Sequence, residues 1–159
     1  MSFVSAIFRN FLGKPSPSDY RDSAEHFVSV MRETGIGLTW GKDELLFIDD
    51  LVERLKGADE YRDAVGCYLG ELVLRNFAEL SPEWVPAHAL GPAIKVTTRE
   101  KGVRHLFPLG WVYRRADGGE AESLARKLNK ELGYPLDAAA LGRFTDSGER
   151  LWPPESRTN

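Results

Sequence analysis

One carboxylate is a candidate for chemistry because it lies in the most apolar stretch of the chain. Glu71 stands within Tyr68–Val73, where its neighbours are mainly apolar. A carboxyl group in such surroundings loses hydration, which raises its pKa and suits it for general acid–base work. No partner base, nucleophile or phosphate-binding loop accompanies it. We therefore favour a helix-edge glutamate that is either paired with Arg75 four residues on or accepts hydrogen bonds that lock the neighbouring backbone. An enzyme of unknown reaction with Glu71 in its site is an alternative.

The histidines and the cysteine show no spacing typical of a metal site. A structural site needs a pair such as Cys-x2-Cys or His-x3-His, and His26, His88, His105 and Cys67 provide neither. His88 and His105 could meet across a loop and a strand, although solvated histidines are the commoner outcome. Cys67 is expected to be a small core residue. The sequence therefore predicts no catalytic residue, no metal and no cofactor.

A basic segment near the middle of the chain is a candidate binding surface. It runs from residue 95 to residue 115 and contains six basic residues, one acid and three interleaved aromatic side chains. Such a segment can hold a nucleic-acid backbone and stack bases. The chain as a whole has 24 acidic and 21 basic residues, for a net charge of −3. The overall acidic charge therefore argues against a nucleic-acid partner, and an acidic protein surface suits the same residues. We predict partner contacts at Arg99, Lys101 and Arg104.

The beginning of the chain offers a second candidate surface. Residues 2–12 place large apolar side chains at helical spacing, and two prolines in the following linker separate them from the rest. A short amphipathic helix can dock into a partner's groove or lie in a membrane interface. Two nearby cations give little attraction to lipid, so we favour a protein groove and keep peripheral membrane contact and packing on the protein's own core as alternatives. The predicted contact residues are Phe3, Ile7, Phe8 and Phe11.

Helical patterns dominate the first half of the chain. The spacing predicts a helix that begins after Ser18 as N-cap and ends near Gly35, and a second helix over residues 42–56. A third, over residues 59–80, is apolar around much of its circumference and is expected to be the central buried helix. Gly66 and Gly70 lie one turn apart in it, which predicts the close approach of another element.

Strand patterns follow Pro82. Residues 93–98 and 103–107 are β-rich runs joined by a short loop that ends in Gly102, which predicts a hairpin. Residues 109–115 fit either a strand or a helix that Pro108 starts, and we favour the helix. Residues 120–132 carry a clear helical stripe, which Gly133 and Pro135 end.

The same segments resemble an uncharacterised bacterial domain family of unknown function. The similarity begins with Leu38–Trp40 and Glu44–Val52, which match a short "L-D-[YW]" stretch followed by a helix reading "S-L-x-x-L-D-x-L-L". It continues with Tyr68–Val73, similar to the family's "Y-L-G-E-V-I" helix. Trp84 then stands where the family has a tryptophan before a β-hairpin, and Pro108 where it has a proline after one.

The resemblance covers about residues 20–130 and implies the fold while leaving function open. The chain departs from the pattern at Thr39, where an aspartate is usual, and at Asp43 and Glu44, where serine or glutamate is usual.

Length and composition indicate one ordinary domain. The chain has 159 residues, of which 42% are hydrophobic and 28% charged. We predict an α+β fold, with a helical N-terminal half packed with a small antiparallel β-hairpin or sheet and one or two C-terminal helices. Residues 1–17 would be the amphipathic helix and linker, 18–145 the domain, and 146–159 a loose tail. The single cysteine and the lack of long apolar runs favour the cytoplasm. The predicted function is a non-enzymatic protein-binding or regulatory module.

Overall fold

The computed structural model describes residues 16–41, 44–54, 59–86 and 88–132 and shows an α+β fold, as predicted. Its helices are α1 (Pro17–Glu33), α2 (Glu44–Arg54), α3 (Asp59–Asn76), α4 (Pro108–Gly118) and α5 (Leu124–Leu132). Its strands are β1 (Glu83–Val85), β2 (Ala93–Thr98) and β3 (Gly102–Leu106). Single 3-10 turns cover Ala78–Leu80 and Gly119–Glu122. The predicted amphipathic helix and the tail lie outside the described residues.

Helix α1 begins earlier than its sequence predicts. The N-cap is Ser16 rather than the predicted Ser18, and Pro17 occupies the first helical position. The Asp19 carboxylate accepts a hydrogen bond from the Ser16 backbone N–H at 2.5 Å and one from its hydroxyl at 3.0 Å. Proline fits the first turn because its missing N–H would have no partner there. A reciprocal capping box therefore fixes the start of the helix.

Helix α3 is the centre of the fold, as its apolar circumference predicts. Several of its side chains between Val65 and Leu72 are fully buried, among them Cys67 and Tyr68. Because these positions lie on different sides of the helix, α3 is enclosed by the rest of the protein. It ends at Asn76, four residues before the predicted end, and a 3-10 turn follows it. The two glycines explain how other elements come so close to it. A Cβ on Gly66 would lie 2.7 Å from the Leu109 Cα on α4.

The sheet has the order β1-β2-β3 with antiparallel pairing, so the predicted hairpin gains a short third strand that the sequence pattern does not predict. Trp84, Ile94 and Leu106 are register partners and all are buried, so they form the core-facing side. Side chains alternate along a strand. The neighbouring row therefore faces outward, and it holds Glu83, Lys95 and His105.

The segment after β3 is the helix α4, as favoured for residues 109–115, whose pattern also fitted a strand. Pro108 stands at its first turn, and Leu109, Val112 and Ala116 are buried at helical spacing. The predicted helix over residues 120–132 divides instead into a 3-10 turn and α5, with Ser123 between them. The core thus lies between α3, the inner face of the sheet and the surrounding helices.

Replacing Gly70 by alanine is expected to destabilise the fold. The new Cβ would overlap ring atoms of Trp84 and lie 3.0 Å from the Ile94 Cδ1, so the sheet would have to move. Overpacking of this kind outweighs the gain in helix propensity, and we expect a loss of about 2 kcal/mol in unfolding free energy, measured by urea denaturation. Gly37→Ala is the matched control, because a Cβ at that position would meet nothing within 4 Å. Equal stability of the two variants would contradict the packing argument.

Candidate functional site

Glu71 is a buried structural carboxylate. It is 5% exposed, and its Oε2 accepts a hydrogen bond from the Trp84 indole Nε1–H at 2.9 Å. Trp84 also stacks on Tyr20, with ring centroids 4.3 Å apart. The predicted pairing with Arg75 is wrong, because Arg75 instead contacts the Glu25 carboxylate at 3.6 Å. Glu71 therefore joins the central helix α3 to the first strand of the sheet.

Cys67, one turn before Glu71, is the core residue that the sequence predicts. Its side chain is fully buried. Burial raises the pKa of the thiol, and the nearby carboxylates of Asp63 and Glu71 raise it further, against a smaller opposite effect of the Ser23 hydroxyl. A protonated, inaccessible thiol is a poor nucleophile. Cys67 therefore contributes packing.

A second buried carboxylate, Glu44, is one that the sequence reasoning missed. It is 2% exposed and lies at the start of α2. Its oxygens accept hydrogen bonds from the backbone N–H of Thr39 at 2.9 and 3.0 Å, from that of Gly41 at 2.6 Å and from the Tyr68 hydroxyl at 3.0 Å. The hydrogen bond from the Gly41 N–H to the Glu44 carboxylate, three residues on, resembles one half of a capping box. This three-residue spacing is the sequence signal that could have identified the role of Glu44. Burial and the adjacent charge of Glu44 raise the pKa of Tyr68, so its hydroxyl stays protonated and donates.

The loop that Glu44 organises contains a strained tryptophan. Trp40 has a φ of 64°, a left-handed conformation that is unfavourable for a bulky residue. Its ring stacks on Tyr68 at 4.6 Å, and the Arg75 guanidinium carbon lies 3.7 Å from the ring centroid. The Asn76 side-chain amide donates to the Trp40 carbonyl oxygen at 2.8 Å. These contacts from α3 hold the strained backbone in place.

A third buried carboxylate, Asp49 of α2, fixes the beginning of α5. It accepts hydrogen bonds from the Ser123 hydroxyl at 2.6 Å and from the backbone N–H groups of Leu124 and Ala125 at 2.7 and 3.0 Å. A carboxylate at a helix N-terminus meets unpaired N–H groups and the positive end of the helix dipole. The Arg115 guanidinium donates to it at 3.1 Å and to Glu53 at 2.6 Å, which balances the buried charge.

Together these contacts show what the buried carboxylates do. Each of Glu44, Asp49 and Glu71 accepts hydrogen bonds from a segment distant in sequence, so each joins two parts of the scaffold. Among the side chains that the structure describes, no hydrogen bond joins any of the three to a second carboxylate, a histidine or a thiol. Within residues 16–41, 44–54, 59–86 and 88–132, no group of three histidine, cysteine or acidic side chains is arranged to hold a metal ion.

The basic residues of the predicted binding segment are dispersed by the sheet. Lys101 donates from Nζ to the Lys130 carbonyl oxygen at 2.8 Å, and Arg104 pairs with Glu131 at 2.5 Å, so both hold the last turn of α5. Arg99 is exposed at the hairpin turn. Alternation along β3 directs Arg104 to the inner side of the sheet, whereas Arg99 and Lys101 lie in the turn between β2 and β3. The predicted contact residues Phe3, Ile7, Phe8 and Phe11 lie outside the described residues.

The outward face of the sheet is the solvent-exposed surface next to the predicted contact residues Arg99, Lys101 and Arg104. Thr97 and Val103 are register partners on this face, and Val103 is 58% exposed. Leu90, in the loop before β2, is 78% exposed. On the same side His88 and His105 do meet, with ring centroids 4.9 Å apart. The surface therefore combines apolar, cationic and imidazole groups around the hairpin.

Comparison with known proteins adds no relative: no protein-family model, curated protein or solved structure matches the chain. The resemblance to the uncharacterised bacterial family therefore stays a prediction. No helix among the described residues is both long enough and apolar enough to cross a membrane.

Asp49→Asn is expected to destabilise the protein by about 3 kcal/mol, because it leaves the Arg115 charge, which is 4% exposed, without its buried partner. Chemical denaturation measures the loss. Glu53→Gln is the matched control, since it removes the other carboxylate that Arg115 contacts, at a side chain 41% exposed, and should lose less than about 1 kcal/mol. If the two variants were equally stable, Asp49 would not be the anchor of α5.

Glu71→Gln and Glu71→Leu separate a structural from an acid–base role. The glutamine oxygen can still accept the Trp84 N–H, so we expect less than about 1 kcal/mol of lost stability. Leucine leaves that N–H buried without an acceptor, and we expect a loss of about 2 kcal/mol. Thermal and urea unfolding provide the comparison. A glutamine variant as unstable as the leucine variant would show that the charge itself is required.

Proposed function

We propose that the protein is a non-enzymatic protein-binding or regulatory module, adaptor-like or immunity-like, that works in the bacterial cytoplasm. The proposal rests on the observation that the buried carboxylates accept hydrogen bonds from other parts of the scaffold. Glu44 and Asp49 accept scaffold hydrogen bonds with both of their oxygens, and Glu71 does so with its Oε2. Cys67 is enclosed in the core. Groups that an enzyme would present to a substrate are here occupied in joining helices and strands, which favours binding over catalysis.

The contact surface that best fits this function is the outward face of the hairpin. It combines the exposed side chains of Arg99 and Val103 with Thr97 beside Val103. Protein interfaces join an apolar centre to a rim of charges that select the partner. Arg99 gives this rim a positive charge, so the matching partner surface is acidic. Lys101 and Arg104 support the hairpin through α5 and act on the partner indirectly.

Residues 2–12 supply a second contact in this proposal. Phe3, Ile7, Phe8 and Phe11 would enter an apolar groove of the same partner, while the hairpin provides charge complementarity. Two linked contacts bind more tightly than either does alone, because the second forms within an existing complex.

Site-specific photo-crosslinking tests the hairpin surface. A photoreactive amino acid replaces Val103 in one full-length protein and exposed Ser29 of α1 in a matched control, and both are irradiated in extract of the native cells. We expect a discrete protein adduct at position 103 that is absent at position 29. Arg99→Glu in the position-103 protein should lower its yield about tenfold, because a reversed charge repels an acidic partner.

The outcomes distinguish the surfaces. Identical adducts at both positions, or a yield that Arg99→Glu leaves unchanged, would contradict binding through the hairpin. A protein that lacks residues 1–15 should retain the adduct at position 103 with reduced yield. An adduct formed at full yield without residues 1–15 would show that the N-terminal segment is not part of the interface.

A further inference from the structure

The two edges of the sheet differ in how well they are protected from pairing with another strand. The order β1-β2-β3 gives β1 and β3 a neighbouring strand on one side only. About half of the backbone N–H and C=O groups of an edge strand point away from its sheet, where another chain can pair with them. Proteins prevent this pairing by shortening the edge strand, by interrupting it with proline or a bulge, or by placing charges on it.

Strand β1 has two of these protections. It contains three residues, Glu83–Val85, and Pro82 and Pro86 stand directly before and after it. A proline has no N–H to donate, so pairing cannot extend through either end of the strand. The free edge of β1 therefore offers few groups to an incoming strand.

Strand β3 lacks the same protections. Its five residues, Gly102–Leu106, include no proline and pair with β2 in an unbroken register, so no bulge turns the edge aside. Its one arginine, Arg104, is held by the Glu131 carboxylate of α5 at 2.5 Å. Val103 is 58% exposed, and His105 is exposed as well. Within the part of the chain that the structure describes, no further strand pairs with this edge.

The charges around β3 indicate what an incoming strand would carry. Arg99 and Lys101 lie in the turn before β3, with one acid, Glu100, between them. Lys130 of α5 adds a further cation, since its carbonyl oxygen accepts a hydrogen bond from Lys101 Nζ at 2.8 Å. An acidic residue at the end of the incoming strand that lies nearest the turn complements these cations.

A second copy of this chain fits the edge less well. Two-fold antiparallel pairing over the full length of β3 would set Arg104 of one copy opposite Arg104 of the other, and like charges directly opposite each other destabilise a sheet. A β-branched side chain suits the position beside the exposed Val103, because such residues pack well across strands.

We propose that β3 binds an extended segment of a protein partner, which joins the sheet as a fourth strand. Main-chain hydrogen bonds to the outward N–H and C=O groups of Gly102–Leu106 supply the affinity. An acid near Arg99 and a β-branched residue beside Val103 supply the selectivity. This inference rests on the proposed binding function and names the form of the partner: a short acidic and β-branched segment in extended conformation, rather than a folded acidic surface.

N-methylated peptides test the proposal on the full-length protein. The probe is the peptide most enriched from a random phage-displayed library of about eight residues, a common strand length, selected on the immobilised protein. Two forms are then synthesised, one N-methylated at the odd positions and one at the even positions. In an added strand, the N–H groups of alternate residues point towards β3 and towards solvent. One form should therefore bind about tenfold more weakly than the other by calorimetry, since it loses several hydrogen bonds.

Hydrogen exchange of the β3 amides gives a second readout. The amides of Gly102–Leu106 that point away from β2 should exchange freely in the protein alone, and saturating peptide should slow their exchange about tenfold. Equal binding of the two methylated forms, or exchange that the peptide leaves unchanged, would overturn strand addition. Protection of these amides that rises with protein concentration alone would also overturn it, because a second copy would then occupy the edge.

Photo-crosslinking at position 103 separates this inference from the proposed function. If no peptide is enriched while the adduct at position 103 forms, the partner binds as a folded surface, and strand addition is wrong although the binding function stands. If neither a peptide nor an adduct is obtained, the proposed function itself is contradicted.

Discussion

The close approach of other elements to helix α3 is the constraint on which the rest of the structure depends. Gly70 lets the Trp84 ring lie where a side chain would otherwise be, and Gly66 does the same for Leu109 of α4. With both neighbours in place, α3 is enclosed, and polar groups beside it lose their access to water. Each such group then needs a partner within the protein, because an unsatisfied buried polar group destabilises the fold.

The buried carboxylates meet that requirement by linking distant segments. Glu71 accepts from Trp84 of β1, Glu44 from the loop at Thr39 and Gly41, and Asp49 from the start of α5. Burial of a charge opposes folding in itself, so these residues need not add net stability. Their effect is on specificity: a loop or helix placed elsewhere would leave a carboxylate without donors.

The sheet separates a structural face from a face open to solvent. Its inner side chains, such as Ile94 and Leu106, belong to the core, and Arg104 reaches Glu131 of α5. The outward positions hold Val103, His105 and Lys95, and the turn places Arg99 beside them. Binding is therefore proposed for a surface that can change without disturbing the core.

The sequence by itself determined the α+β class, the hairpin and the central position of α3. It also determined the burial of Cys67 and the close approach of other elements to the glycines of α3. All of these follow from local periodicity or from the properties of one residue. Tertiary structure alone decided that Trp84, and not Arg75, is the partner of Glu71, that Asp49 caps α5, and that Arg104 turns towards α5. These partners lie far apart along the chain, and side-chain periodicity carries no information about which distant donor a carboxylate will meet.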